Sequence, residues 1–255
     1  MGESIDLDLI IHNNLLYMDF SQVNTQFYQD IFKIWNNEPD YYWDGFWYLY
    51  SYFDQCLEGI DSPRVLDIGS ANGRFFNFLE FCWPEKTFIK VGIDFVDFKM
   101  VNNYDFIKCD ISKEQFLDLD LGKFDLITAF GVFHHIQSQQ VRNTITNKIS
   151  SMLSDNGVFV FTRWNFLLLN RLRKHILTPE QIPNFDASSL ELGDYFLKWD
   201  KGQYSIRYAN FMDIFQIEQM LYKSNLKCLN SFNADDKTEN RNSYFICNLK
   251  ARIYS

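Results

Sequence analysis

The chain has 255 residues, a formal net charge of −9 and a residue content that is 47% hydrophobic and 18% aromatic. That length accommodates one well-buried domain with additions rather than two equal domains, and the acidic balance disfavours a protein that coats nucleic acid nonspecifically, since Lys and Arg drive phosphate binding. The five cysteines, Cys56, Cys82, Cys109, Cys228 and Cys247, are odd in number and contain no C-x-x-C pair, so they read as buried reduced thiols rather than a disulfide framework or a zinc site.

The opening MGESIDLDLI carries acids where a secretory leader needs a basic region, and no apolar run approaches the roughly 18 residues of a membrane span. A cytoplasmic location without membrane attachment is expected. Val23, Phe27, Ile31 and Ile34 recur at helical spacing, and Phe46, Tyr50, Phe53 and Leu57 do so again after a turn at Pro39 and Asp40. Residues 1–61 therefore read as a helical cap in front of a core spanning 62–255.

In that core, short apolar strands alternate with helical segments: Arg64 to Ile68, Phe88 to Ile93, Phe106 to Cys109, Phe124 to Ala129 and Val158 to Thr162. Such alternation predicts a parallel sheet covered on both faces. Between the fourth and fifth strands, Val141, Ile145, Ile149 and Leu153 line a helix with Ser138 as N-cap, and Asn156-Gly157 is expected to end it. From Trp164 to about Ser205 the pattern breaks into basic, proline-containing and aromatic pieces, an insertion of the kind that carries substrate contacts and is expected to form a lid. A helix over Phe211 to Leu221 and two strands, Lys227 to Phe232 and Ser243 to Lys250, close the chain as an edge hairpin.

The stretch VLDIGSANGRF places a loop after the first strand, where open α/β sheets bind ligands. It lacks the third glycine of a dinucleotide fingerprint and the Lys-Ser/Thr of a triphosphate loop. What it offers instead is D-x-G-x-x-x-G, with Asp94 ending the second strand 27 residues after Asp67 and Asp110 ending the third. Acids at three successive strand ends suit a cationic sulfonium and would repel a pyrophosphate. Asp94 can accept from a ribose diol, and Asp110 can meet an adenine amino group, with Ile111 beside the ring.

With these residues the chain resembles the class I S-adenosylmethionine-dependent methyltransferases, over VLDIGSANGR, VGID, IKCD, KFDLITAFGVFHHI and LSDNGVFVF. The resemblance implies an α/β, doubly wound Rossmann-like seven-stranded sheet, mostly parallel with an antiparallel C-terminal edge hairpin. It implies S-adenosylmethionine as cofactor, held by Asp67, Gly69, Ala71, Gly73, Arg74, Asp94, Phe95, Asp110, Ile111 and Phe130, the last lying in the segment Ala129 to Ile136 that faces the transferred methyl.

Methyl transfer requires donor and acceptor in line and, for a neutral alcohol or amine, a base. His134 and His135 follow the fourth strand, where one of them can orient or deprotonate an acceptor; no metal-ligand spacing is evident, and no metal is expected. A narrower resemblance, carried by FYQDIFKIWNNEPDYYWDGF, VFHHIQSQQVRNTI, FTRWNFLLLNRLRKHI and GDYFLKWDKGQYSIRYAN, is to the tRNA wobble-uridine methyltransferases that esterify a carboxymethyl group, and to their bacterial relatives. It implies the carboxylate of 5-carboxymethyluridine as acceptor, with tRNA and a small zinc-containing protein as partners. Two departures separate the chain from that family: Glu38-Pro39-Asp40 stands where an arginine is usual before Trp43, and Arg207-Tyr208-Ala209-Asn210 lacks a histidine after the tyrosine. A missing arginine matters because its fork holds carboxylates and phosphates bidentately.

His135, Arg207 and Tyr208 are the expected catalytic set, with Arg207 and Tyr208 forming an anion clamp. Trp43, His134, Arg163, Trp164 and Asn210 are expected against the substrate. Arg163, Arg171, Arg173, Lys174 and His175 make a basic cluster, and Trp164 and Phe166 offer stacking surfaces for an unpaired base. Two other readings stand beside the tRNA one: a small-molecule O-methyltransferase, favoured by the acidic charge and the missing arginine, and a non-catalytic cofactor-binding subunit.

Overall fold

The computed structural model describes residues 24, 44–97, 103–182, 188, 190–199, 205–235 and 240–250. The first cap helix expected over Val23 to Ile34, and Trp43, lie outside them. The second cap helix forms as two pieces, α1 (Asp44–Trp47) and α2 (Tyr50–Leu57), which bury Phe46, Phe53 and Leu57.

The parallel strands are β1 (Arg64–Ile68), β2 (Ile89–Asp94), β3 (Asp105–Lys108), β4 (Phe124–Ala129) and β5 (Leu153–Trp164). Helix α3 (Arg74–Cys82) follows β1, α4 (Glu114–Leu117) follows β3, and α5 (Gln139–Met152) joins β4 to β5. β1 and β4 are buried along nearly their whole length because helices cover both faces. One face packs Leu66, Ile68, Ile127, Phe159 and Phe161 under α5; the other packs Val65, Leu126, Val158 and Val160 under α2 and α3. Each fully buried Phe or Leu contributes roughly 1.5–3 kcal/mol, and both layers are rich in phenylalanine.

α5 begins at Ser138, whose hydroxyl accepts the Gln140 amide at 3.2 Å. Its end differs from expectation. The helix stops at Met152, and Leu153 already pairs with Phe124 of β4; the pairing then skips to Leu126 and Val158, leaving Asn156-Gly157 in the irregularity. A Cβ on Gly157 would stand 2.8 Å from the Phe124 carbonyl oxygen, so the turn-like dipeptide serves a close strand approach and not a helix stop.

After β5 come α6 (Asn170–Arg173), β6 (Ile176–Leu177), β7 (Asp194–Trp199) and β8 (Ser205–Asn210). The last three form an antiparallel sheet of their own in the order β6-β7-β8. The insertion is thus a small sheet that runs to Asn210, past the expected end near Ser205. Helix α7 (Ile214–Lys223), capped by Asp213, leads into the edge hairpin β9 (Leu226–Ala234) and β10 (Asn242–Leu249). The main sheet reads β3-β2-β1-β4-β5-β10-β9, with β9 and β10 antiparallel. Order reverses between β1 and β4, and ligands bind outside the carboxyl ends of strands at such a point.

Arg142 of α5 ties the small sheet to the core. Fully buried, it donates to the Ile136 carbonyl at 2.6 Å and to Gln139 Oε1 at 3.2 Å, and approaches Glu191 Oε2 at 3.7 Å. Asp194 of β7 gathers the rest: its Oδ1 accepts from the Tyr208 hydroxyl and from Asn210 Nδ2, both at 2.6 Å, and its Oδ2 from the Glu191 amide at 2.9 Å. Removing a buried charge leaves its partners uncompensated, so Arg142→Ala should lower the unfolding free energy by about 3 kcal/mol, measured by urea denaturation.

Candidate functional site

Beyond β1 the chain turns through Gly69 (φ 76°), Ala71 (φ 45°) and Gly73 (φ 74°) before α3 begins. Two of these positions exclude a side chain for a second reason. A Cβ on Gly69 would lie 2.4 Å from Val132 Cγ2, and one on Gly73 would lie 2.6 Å from the Tyr104 ring. The loop is pinned by Gly69 and Ser70 amides donating to the Ile93 carbonyl at 2.7 and 3.2 Å, and by Gly73 N–H to the Ser70 carbonyl at 2.8 Å.

Three carboxylates stand at the adjoining strand ends. Asp94 accepts the Ala71 amide on Oδ2 and the Val96 amide on Oδ1, each at 3.0 Å, which leaves lone pairs on both oxygens for hydroxyl donors. Asp67 accepts the Thr128 hydroxyl at 2.7 Å across β1 and β4. Asp110 accepts the Ser112 amide and hydroxyl on Oδ1 at 2.9 and 2.7 Å, and its Oδ2 has no partner among the described residues. Burial pushes the Asp67 carboxyl up to about 7, against the Thr128 hydrogen bond and the Arg74 charge; burial likewise pushes Asp94 up to about 6. Burial thus disfavours the charged form of both carboxyls, and a cation arriving beside them would favour it.

The other expected cofactor residues gather here in part. Arg74 opens α3 with its guanidinium 5.4 Å from the Phe46 ring centroid. Phe130, half-buried, packs between Phe46 and Phe75 with centroids at 4.8 and 5.3 Å. Phe95 follows Asp94 and is half-buried, while Ile111 is buried with the α5-side core.

Past Gly131, whose amide donates to Thr162 Oγ1 at 2.8 Å, a single 3-10 turn carries Phe133, His134 and His135. The His134 and His135 rings lie 4.0 Å apart, and His134 lies 5.5 Å from Trp164. The Arg207 guanidinium sits 4.0 Å over the Trp164 ring. His135 Nδ1 is 3.2 Å from Asn24 Nδ2 and 3.4 Å from the Tyr208 carbonyl oxygen, and Asn24 Oδ1 accepts the Tyr208 amide at 3.1 Å. Burial first, then neighbouring positive groups including Arg207, holds both histidines well below the usual imidazole range. They are neutral at physiological pH and weak as proton acceptors.

Several expectations change. Tyr208 does not present its hydroxyl as an anion clamp: the ring is buried, the hydroxyl donates to Asp194, and burial first, then that carboxylate, raises it far above an ordinary phenol. Asn210 is buried, with its Nδ2 turned into the same network. Arg163 donates to Asn165, to the Met212 carbonyl and to Ser243, and lies over Phe211, so it fastens β5 to its neighbours. Trp164 and Phe166 are buried and offer no open stacking face, while Arg171, Arg173 and Lys174 remain exposed.

Against known proteins, the model of the family described as Methyltransferase domain matches residues 48–231. The chain belongs to the class I S-adenosylmethionine-dependent methyltransferases. Among solved structures, this methyltransferase is similar to an S-adenosylmethionine-dependent methyltransferase from Clostridium acetobutylicum, with TM-score 0.57 and 16% identity over 89% of this chain and 99% of that one. It is also similar to the Burkholderia thailandensis 1,6-didemethyltoxoflavin-N1-methyltransferase, solved with 1,6-didemethyltoxoflavin and S-adenosylhomocysteine bound (TM-score 0.56, 14% identity, 98% and 92% covered). A third is the magnesium protoporphyrin IX methyltransferase of Synechocystis PCC 6803 with S-adenosylhomocysteine bound (0.56, 12%, 91% and 100%). No curated protein matches the sequence. Among the described residues no helix is long and apolar enough to cross a membrane, and no group of three or more His, Cys, Asp or Glu could hold a metal ion.

The methyl donor is therefore S-adenosylmethionine. The glycine loop, which a Cβ at Gly69 or Gly73 would obstruct, and the Asp110 oxygen that has no partner among the described residues are the features that would fit its methionine and adenosine halves, with Asp94 toward the ribose. Asn24, Tyr104, Thr128 and Thr162 contact the candidate site residues, and no residue-spacing pattern announces them.

Asp94→Ala should weaken S-adenosylmethionine binding about 10–100-fold by calorimetry, the loss of charge-assisted hydrogen bonds. The raised Asp67 carboxyl sets a second expectation. Folded Asp67 binds a proton up to about pH 7 while the unfolded side chain releases it near its ordinary value of 3.8. Its contribution to stability is therefore lost as pH rises from about 4 to about 7. The stability of wild type relative to Asp67→Asn, followed by denaturation of the cofactor-free protein across that window, should fall steadily.

Proposed function

We propose that this methyltransferase esterifies an ionised carboxylate on a small-molecule acceptor. The observation that carries the reading is the Arg207 guanidinium laid over Trp164 at 4.0 Å beside two histidines held neutral. An ionised carboxylate brings its own lone pair and needs no base, whereas a phenol or amine acceptor would call on one that these histidines supply poorly. Arg207 can hold the acceptor's carboxylate by charge and hydrogen bonding, with its plane set by the indole beneath. His134 and His135 wall the site and exclude water. S-adenosylmethionine, when bound, supplies an electrophilic methyl on a sulfonium; the residues of the chain align the acceptor oxygen with it.

The carboxylate of 5-carboxymethyluridine in tRNA shares this chemistry. Burial of Trp164 and Phe166 supports the smaller acceptor, because the stacking surfaces that would receive a flipped-out base lie inside the protein. Two structural neighbours are also named for small molecules, a didemethyltoxoflavin and a magnesium porphyrin.

The test uses methyl-labelled cofactor with a panel of carboxylic acids, phenols, a metabolite extract, and tRNA bearing carboxymethyluridine. A base-labile label, released as methanol, is expected in the small-molecule fraction. Base-stable label would overturn the ester, and label in tRNA alone would overturn the acceptor size. With the identified acid, Arg207→Met should raise KM about 10–100-fold and leave kcat within about threefold, the pattern of a lost ground-state contact.

A further inference from the structure

The outer hairpin carries a second piece of chemistry, remote from the methyl-transfer site. In the β9–β10 register Cys228 stands directly opposite Cys247, next to a shift in pairing at Ile246. Antiparallel neighbours have Cα atoms about 4.5 or about 5.5 Å apart according to pair type. Both spacings lie inside the window of about 4.4–6.8 Å that a disulfide spans. Side chains opposite each other share a sheet face, and here that face is the one closed by α7: Cys247 is wholly buried among Phe245, Leu226 and Leu221, and Cys228 is exposed at the edge. Both thiols are reduced.

We propose that Cys228 and Cys247 form a thiol–disulfide exchange site, Cys228 the attacking thiol and Cys247 the resolving one, with a low-molecular-weight disulfide such as glutathione disulfide as co-reactant. The Cys228 thiolate attacks one glutathione sulfur, a Cys228–glutathione bond forms, and one glutathione thiolate leaves and takes a proton. Cys247 then releases its proton to solvent, its sulfur attacks Cys228 Sγ, and the second glutathione thiolate departs. The two protein thiols lose two electrons and two protons, and the glutathione disulfide is reduced to two glutathione thiols.

The surroundings assign the order. Cys247 donates a hydrogen bond to Cys228, which draws the Cys228 thiol down to about 7 against burial and the charge of Glu218 on α7, and pushes Cys247 upward. In its protonated form Cys228 reaches the Asn230 carbonyl at 3.2 Å. Every other described cysteine moves the opposite way. Burial lifts Cys56 to about 12 and Cys82 to about 11, and also raises Cys109. The thiolate is the nucleophile, so one of five cysteines is set apart, and it is the exposed one with a partner in reach.

The experiment incubates the full chain with glutathione disulfide at neutral pH, quenches with acid and an alkylating reagent, and maps peptides by mass spectrometry. Wild type should accumulate a Cys228–Cys247 linked peptide and release two glutathiones per chain. Cys247→Ala should stop at the Cys228–glutathione mixed disulfide. Cys56 and Cys82 should react at least about tenfold more slowly than Cys228. Modification of Cys228 no faster than Cys82, or a wild-type product that stays as the mixed disulfide, would overturn the proposal. The wild-type readout stands even where the buried Cys247 substitution impairs folding.

Discussion

The closeness of the β1–α3 loop to its neighbours is the constraint on which the rest of the structure depends. Gly69 lies against Val132 and Gly73 against Tyr104, at distances a single methyl would violate, so the loop can take this path only with glycine at both positions. Asp94 then fixes it from β2 through the Ala71 amide. Position and charge are set together: the residue that holds the loop is also the carboxylate left facing the ligand, in surroundings dry enough to push it up to about 6. A pyrophosphate would find no helix-facing lysine and a wall of acids, whereas a sulfonium nucleoside meets complementary charge and hydroxyl acceptors.

The acceptor side is built differently, from a separate small sheet fastened over the switch point. Its attachment is polar and buried: Arg142, Asp194, Tyr208 and Asn210 form one network across α5, β7 and β8. Such a network is costly when incomplete and specific when satisfied. It brings Arg207, one position from Tyr208 on β8, over Trp164 at the end of β5, and so joins a residue of the insertion to one of the core. The two histidines beneath are kept neutral by the same burial, and Arg207 brings a positive charge beside them.

The main sheet was legible because its strands are buried on both faces and read as continuous apolar runs, as in Val65-Leu66 and Phe159-Val160-Phe161. Its cofactor end was legible because backbone demands on glycine and the need for acids at strand ends leave local traces. The insertion was not. β6 has two residues and β7 mixes Asp194 and Lys198 with aromatics, so no period emerges. Tyr208, Asn210 and Arg163 looked like solvent-facing chemistry because their partners, Asp194, Asn165 and Ser243, are visible only once the chain has folded. Arg142, in a polar stretch QQVRNT, has the same disguise, and Asn24 reaches Tyr208 across 184 positions of sequence. The Asn-Gly signal at 156–157 was real, but it marked a tight strand approach.

A crystal structure of the chain with S-adenosylhomocysteine tests the central claim most directly. The account predicts the homocysteine portion against Gly69 to Gly73, the ribose hydroxyls on Asp94, the adenine amino group on Asp110 Oδ2, and the sulfur directed toward Phe130 to His135. A ligand bound with its ribose away from Asp94, or with the glycine loop turned from it, would contradict the account.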